Sequence, residues 1–190
     1  NALEIARRCK ETGLSLIVDF HYSDFWADPA KQMSPKEWVT MDLTQKCSAL
    51  YAFTVDALTQ IAATGVDIWM VQVGNEIKGE WSTNGRNQLM NAGSAAVRAT
   101  LPDALVAVHF TNVSQSDAKK YIREVCEGDT PVDFDVMAYS YYSYWHGSLE
   151  NLSELMADVR ETFGKDVFIA ETAYPFTTNN LDTHPNSVPN

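Results

Sequence analysis

Ile68-Trp69-Met70-Val71-Gln72-Val73-Gly74-Asn75-Glu76 is the stretch that decides how this chain folds. Ile68 to Val73 is an apolar, β-branched-rich run of strand length. It stops at a glycine and delivers Asn75 and Glu76 to the start of the next loop. A parallel strand buried on both faces ends in this way, with polar groups at its carboxyl tip. The run 166–170 (DVFIA) does the same and leads into Glu171-Thr172. A single Glu at a strand end is usually just solvated. Two in matching positions of an alternating β/α chain aim two carboxylates into one cleft, the constellation that cleavage of a glycosidic bond requires.

Working outward, residues 2–12 carry a helical pattern closed by Gly13, and 14–20 (LSLIVDF) read as the first strand. A short helical turn is expected at 35–39. A long amphipathic helix is expected over 43–64, with Leu50, Phe53, Val55, Leu58 and Ile61 as its apolar positions and Gly65 closing it. After the strand at 68–73, further helices are predicted at 88–101, 116–126 and 149–163. Further strands are predicted at 104–110, 134–138 and 167–170. Helix and strand alternate five times, the pattern of a (β/α) barrel or a doubly wound sheet, with no linker and no glycine-rich phosphate fingerprint after any strand. Every strand ends in polar or aromatic residues, which favours a (β/α) barrel with its site at the strand carboxyl ends. The loop 21–29 (HYSDFWADP), with His21, Asp24 and Trp26, is dense for a filler segment.

The 190 residues include 45% apolar and 21% charged residues, an ordinary globular balance. Fourteen Lys and Arg against 25 Asp and Glu give a net charge of −11. That argues against nucleic acid or an anionic membrane as partner, because both need a positive footprint. A neutral sugar polymer has no such requirement. Cys9, Cys47 and Cys126 are widely spaced and odd in number, and read as free thiols. No apolar run reaches membrane-spanning length and no signal peptide is present, but the chain starts with Asn1 inside a helical pattern. It reads as a single incomplete domain cut from something longer.

The segments DFHYSDFWADP (19–29), VQVGNEI (71–77), HFTN (109–112), SYYSYWHG (140–147) and AETAYPFT (170–177) together resemble the endo-β-1,4-galactanases, glycoside hydrolase family 53. The resemblance spans nearly the whole chain, and HYSDFWADP is its most specific element. It implies a partial (β/α)8 barrel comprising about the third to the seventh strand. The first two strands and the eighth would be missing, with an early Arg and a late Trp that the family draws from them. By the same resemblance, Glu76 is expected to be the general acid/base and Glu171 the nucleophile. Asn75 is expected to bond the sugar 2-hydroxyl, and His21 to line the site beside the nucleophile. Tyr141 or Tyr142 is expected to hold the nucleophile ionised. Trp26, Trp81 and Trp145 are candidate stacking platforms for the apolar face of galactose. His109 is open between substrate contact and structural histidine.

The implied substrate is the β-1,4-galactan of pectic cell walls, cleaved with retention and without a metal or other cofactor in the chemistry, by a protein whose full-length form is extracellular or periplasmic. Another β-1,4-polysaccharide (mannan, glucan or xylan) is the alternative among enzymes. A non-catalytic carbohydrate-binding barrel fragment is the alternative from another class. In the tail, Asn180, Asp182, His184 and Asn186 alternate in the manner of a calcium loop. Some bacterial members of the family resemble this with Asp-x-Asp-x-His-x-Asn, so a structural calcium is expected here, although Asn180 replaces the first Asp.

Overall fold

The computed structural model describes residues 1–77, 83–111, 113, 115–175, 177 and 179. Five strands form one all-parallel sheet: β1 (Leu16–Phe20), β2 (Ile68–Val73), β3 (Leu105–Phe110), β4 (Val136–Tyr142) and β5 (Asp166–Ala173). They pair in sequence order, β1-β2-β3-β4-β5. The helices are α1 (Ala2–Thr12), α2 (Leu43–Ala62), α3 (Thr83–Thr100), α4 (Gln115–Cys126), the single turn α5 (Ser143–His146) and α6 (Leu149–Phe163), with a 3-10 turn at Lys36–Trp38. The sheet curls into a half-barrel, the fold that the five-fold alternation predicts.

The two faces of the sheet differ in composition. Val18, Phe20, Val71, Val73, Val106, Val108, Phe110, Met137, Tyr139 and Tyr141 point to the helices and form the large core with Leu58, Ile61, Val97, Ile122, Leu155 and Val159. Met70, Ala107, Val136 and Ala138 face the other way, the future barrel interior, with Phe168 and Ala170 beside them. Phe110, fully buried and stacked on Tyr121 at 4.9 Å, is a keystone of the helix-side layer; truncating it to Ala would cost about 3–5 kcal/mol. Arg98 ties α3 to the start of β4 through Asp133 and Asp135, and Asp135 accepts the Val106 N–H at 2.7 Å.

Helix boundaries follow local chemistry. Gly13 caps α1 at φ +71, and Asp42 opens α2 as a capping box with Gln45. The buried stripe of α2 is Lys46, Leu50, Thr54, Leu58 and Ile61. Phe53, expected in that stripe, is 49% exposed; its ring packs edge-on against Phe20, Tyr22 and Trp38 at the rim instead. α3 begins five residues before its predicted start. β4 runs on to Tyr142, four residues past the predicted end at Ala138, with Tyr139 and Tyr141 packed on the helix side and Ser140 and Tyr142 on the other face. β5 likewise extends through Glu171 to Ala173. All three cysteines are free. Among the described residues, no helix is long and apolar enough to cross a membrane.

Candidate active site

Side chains alternate along a strand, so register decides what meets at the strand tips. Asp19, Gln72, His109 and Ser140 lie on the inward face of four successive strands, as the pairings Asp19↔Gln72, Gln72↔Ala107, Ala107↔Val136 and His109↔Ala138 require. On β5 strict alternation would send Glu171 to the helix side, because Phe168 and Ala170 already face inward. An irregularity intervenes: Tyr139 pairs with Ile169, but Ser140 pairs with Glu171. The extra residue, Ala170, rotates Glu171 onto the inward face beside Ser140. Re-aiming a side chain is what bulges near functional sites do.

Glu76 arrives by a different route. β2 ends at Val73, and Gly74 turns at φ +106, where a Cβ would come within 2.5 Å of the Ile77 side chain. Glu76 itself sits at φ +45, a strained left-handed conformation for a residue with a side chain. His109 supports this turn twice: its carbonyl accepts the Ile77 N–H at 2.8 Å and its Nδ1 accepts the Glu76 N–H at 3.2 Å. Gln32 reaches across from the β1 loop to the Asn75 and Glu76 carbonyls at 3.1 and 3.3 Å.

The two glutamates meet. Carboxylate oxygens of Glu76 and Glu171, together with a ring nitrogen of His109, all lie within 4.8 Å of one another. Their surroundings differ. Glu76 is buried, and burial raises its pKa; the hydroxyl of Ser140, donating to Oε1 at 2.7 Å, opposes that, and the charge of Glu171 raises it further. Glu171 is half-buried and accepts a hydrogen bond from Tyr142 at 2.7 Å. Burial, and then this bond to a carboxylate, raise the Tyr142 pKa, so the phenol stays protonated and donates. The Glu76, His109 and Glu171 cluster also has the ligand types of a metal site, but both His109 nitrogens are already engaged with protein groups.

Of Tyr141 and Tyr142, it is Tyr142 that faces and bonds Glu171, whereas Tyr141 faces the helices and donates to the Gly147 carbonyl. His21 accepts the Ala27 N–H on Nδ1 and turns Nε2 toward Asp19 at 3.3 Å. Trp26 is 73% exposed with its ring edge-on to His21, and Trp145 is half exposed beside Tyr142. Both indoles are therefore open to a ligand.

Three of the expected contact residues are tied up in protein bonds. Asp24 accepts the Lys36 N–H at 2.7 Å and so braces its own loop. Asn75 is buried, with its amide NH2 donating to the Ala27 carbonyl at 2.9 Å. His109 is fully buried, with Nε2 bonded to the Ser140 hydroxyl and Nδ1 taking the Glu76 N–H. Trp81 and the tail residues Asn180, Asp182, His184 and Asn186 lie outside the described residues. Ser140, Gln72, Asp19 and Gln32 were missed from sequence. For Gln72 and Asp19, inward alternation on strands already located was the available signal; Ser140 lies past the predicted end of its strand, and Gln32, in a loop, offered none.

A parallel half-barrel that brings two glutamates together at strand carboxyl tips, one shielded and one bonded to a tyrosine, belongs to the barrel glycoside hydrolases. Within that class the chain is a member of glycosyl hydrolase family 53, whose sequence profile matches residues 1–190. It is 45% identical over 99% of its length to the endo-beta-1,4-galactanase of Bacillus subtilis, covering 44% of that protein. To the arabinogalactan endo-beta-1,4-galactanase of Cellvibrio japonicus it is 34% identical over 93% of its length and covers 51% of that protein. Among solved structures, the Ignisphaera aggregans GH53 catalytic domain superposes with a TM-score of 0.85 at 32% identity, over 96% of this chain and 52% of that one. A fungal beta-1,4-galactanase superposes at 0.86 with 27% identity, over 94% and 58%. The chain thus spans about half the length of the curated relatives it matches. A Thermobacillus composti GH10 xylanase, 17% identical with a TM-score of 0.63, shares the fold.

Proposed function

We propose that the full-length protein is an endo-β-1,4-galactanase that cleaves galactan with retention at the anomeric carbon. The observation that carries this reading is the approach of Glu76 and Glu171 to within 4.8 Å in unlike surroundings. Retaining enzymes hold their carboxyl groups about 5–5.5 Å apart, because the second carboxylate attacks the sugar itself; inverting enzymes need about 6.5–9.5 Å to admit a water. Glu76, its pKa raised, is the group suited to carry the proton for the departing glycosidic oxygen. Glu171 attacks C1 from the opposite side and forms a glycosyl-enzyme, with the Tyr142 O–H holding its Oε2. Glu76, now ionised, takes a proton from water, which attacks C1 and releases Glu171.

Trp26 and Trp145 offer the flat apolar surfaces on which galactose residues stack. His21 lines the cleft between Trp26 and Asp19. Asn75, enclosed as it is, would reach a sugar 2-hydroxyl only through its already shared amide. The sugar specificity rests on the relatives named galactanases and on the HYSDFWADP segment. A polymer of this size is met outside the membrane, so the full-length protein is proposed to act in the extracellular or periplasmic space, on galactan of plant cell walls.

The test is digestion of galactan, mannan, glucan and xylan by the full-length protein, followed by chromatography. Rapid release of short galacto-oligosaccharides from galactan alone is expected. Equal or greater cleavage of another polymer would replace the substrate assignment, and no cleavage of any would favour a carbohydrate-binding role.

A further inference from the structure

The hydrogen bonds around His109 form a closed ring that starts and ends on Glu76. The imidazole is fully buried, and burial, reinforced by the charge of His21, pushes its pKa down to about 4. Near neutral pH it is uncharged and carries one proton. Its Nδ1 faces two groups that can only donate: the Glu76 backbone N–H at 3.2 Å and the Gln72 amide nitrogen at 3.1 Å. Against these two donors stands one acceptor, Asn75 Oδ1, so the balance of partners favours Nδ1 as an acceptor. Asn75 Oδ1 lies 3.0 Å from Nδ1, and the same Gln72 nitrogen sits 3.4 Å from that oxygen, so one amide proton lies between the two acceptors. The other Gln72 amide proton is taken by Asp19 Oδ1 at 2.6 Å.

With Nδ1 accepting, the single imidazole proton is on Nε2. It donates to Ser140 Oγ at 2.9 Å, which leaves the one Ser140 proton to point at Glu76 Oε1 at 2.7 Å. We propose that His109 is a positioning residue for Glu76: its Nε2–H tautomer, fixed by the Glu76 and Gln72 N–H groups, locks the Ser140 hydroxyl as a donor to the Glu76 carboxylate. Without that proton on Nε2, Ser140 is free to turn away from Glu76 and donate to the imidazole.

The consequence is a counterweight. Burial and the charges of Glu171 and Asp28 favour the protonated form of Glu76, whereas the Ser140 donor, with a bond from Thr111, favours the ionised form. An acid/base that gives its proton in one half-reaction and takes one back in the other needs both forms within reach. The ring sets that balance from beneath the cleft, through the fully buried His109 and Ser140. The charged groups facing it are the Glu76 and Glu171 carboxylates above, Asp19 behind Gln72, and His21 just past the end of β1, two strands away. This inference rests on Glu76 being the acid/base of the proposed reaction.

Two readouts on the full-length protein separate it from that reading. Nitrogen-15 spectra of the histidines at pH 6–8 should show one neutral imidazole protonated at Nε2 that disappears in His109→Gln. In pH profiles of kcat/KM on galactan, Ser140→Ala should raise the basic limb by about one pH unit, the size of a lost bond to a charged group. His109→Phe, which removes the donor that fixes the hydroxyl but also its competing acceptor, should raise it by no more than Ser140→Ala does, and the double variant should add nothing beyond Ser140→Ala. His109→Gln, which returns an N–H near the Nε2 position, should bring the limb back toward wild type. An Nδ1–H or doubly protonated ring, or an unmoved basic limb in Ser140→Ala, would overturn the proposal. Failure of the wild type to cleave galactan would instead overturn the substrate reading, and the nitrogen spectrum would still decide the tautomer.

Discussion

The hydroxyl of Tyr142 donates to Glu171 Oε2 at 2.7 Å, while the neighbouring Tyr141 donates to the Gly147 carbonyl on the opposite side of the sheet. One residue of strand alternation thus separates a tyrosine that holds the proposed nucleophile from one that closes a loop. A hydrogen bond to a charged group contributes about 1.5–3 kcal/mol. Tyr142→Phe should therefore lower kcat about 10–100-fold on galactan with the fold intact. Steady-state kinetics alongside circular dichroism would check this; a Tyr142→Phe enzyme at full activity would remove Tyr142 from the account.

Glu76 and Glu171 should fail differently when truncated. Glu171→Ala should lose turnover on every substrate, because no covalent intermediate forms. Glu76→Ala should lose galactan cleavage but keep a measurable first step on aryl galactosides with good leaving groups, which depart without a proton. Burst kinetics on both substrate types would distinguish the roles, and parallel losses in the two variants would contradict the assignment.

Much of this was legible in the strand tips. Glu76 and Glu171 stand out where two apolar runs stop at polar residues, and the helix-strand alternation implies a parallel sheet, which the polar and aromatic strand ends favour as a barrel. What escaped depends on register. Ala170 as an inserted residue, which turns Glu171 inward, cannot be seen in a run such as VFIAET, where every residue suits a strand. Ser140 was hidden because β4 looked finished at Ala138; an aromatic-rich tail after a strand reads as loop until its alternation is paired with a neighbour. Tyr141 and Tyr142 were inseparable for the same reason. The enclosure of Asn75 and His109 arises from contacts with residues 27–32 and with Ser140, distant in sequence and invisible to any local pattern.

Asp19 supplies a stability prediction. Burial raises its pKa to about 6, against the pull of His21 and Gln72 and with help from the charge of Glu171. Its folded-state pKa lies above the ordinary 3.8, so between about pH 4 and pH 6 the folded protein holds more protons than the unfolded chain. Its contribution to stability must then fall as pH rises through that window. Asp19→Asn removes the titration and should gain relative to wild type on going from pH 4 to pH 7. Urea midpoints of both proteins at the two pH values would show it, and an identical pH dependence would refute it.

Asn180, Asp182, His184 and Asn186 carry a separate proposal, made on donor chemistry alone. Three side chains with oxygen donors and one imidazole fall short of the six to eight oxygens that calcium takes, so further ligands would have to complete the shell. Ligand binding to the folded state raises the melting temperature. The full-length protein should melt higher with calcium than with chelator, and Asp182→Ala should abolish the difference. Equal melting temperatures in both conditions would remove calcium from the account.

The central claim, that Glu171 attacks the sugar while Glu76 handles the proton, predicts the configuration of the first product. Proton NMR of galactan or a galacto-oligosaccharide, recorded in the first minutes after adding the full-length protein, reads the new reducing end before mutarotation. The β-anomer should appear first, with the α-anomer growing in later as the sugar equilibrates. Initial release of the α-anomer would mean direct attack by water, and would contradict the two-step mechanism at its core.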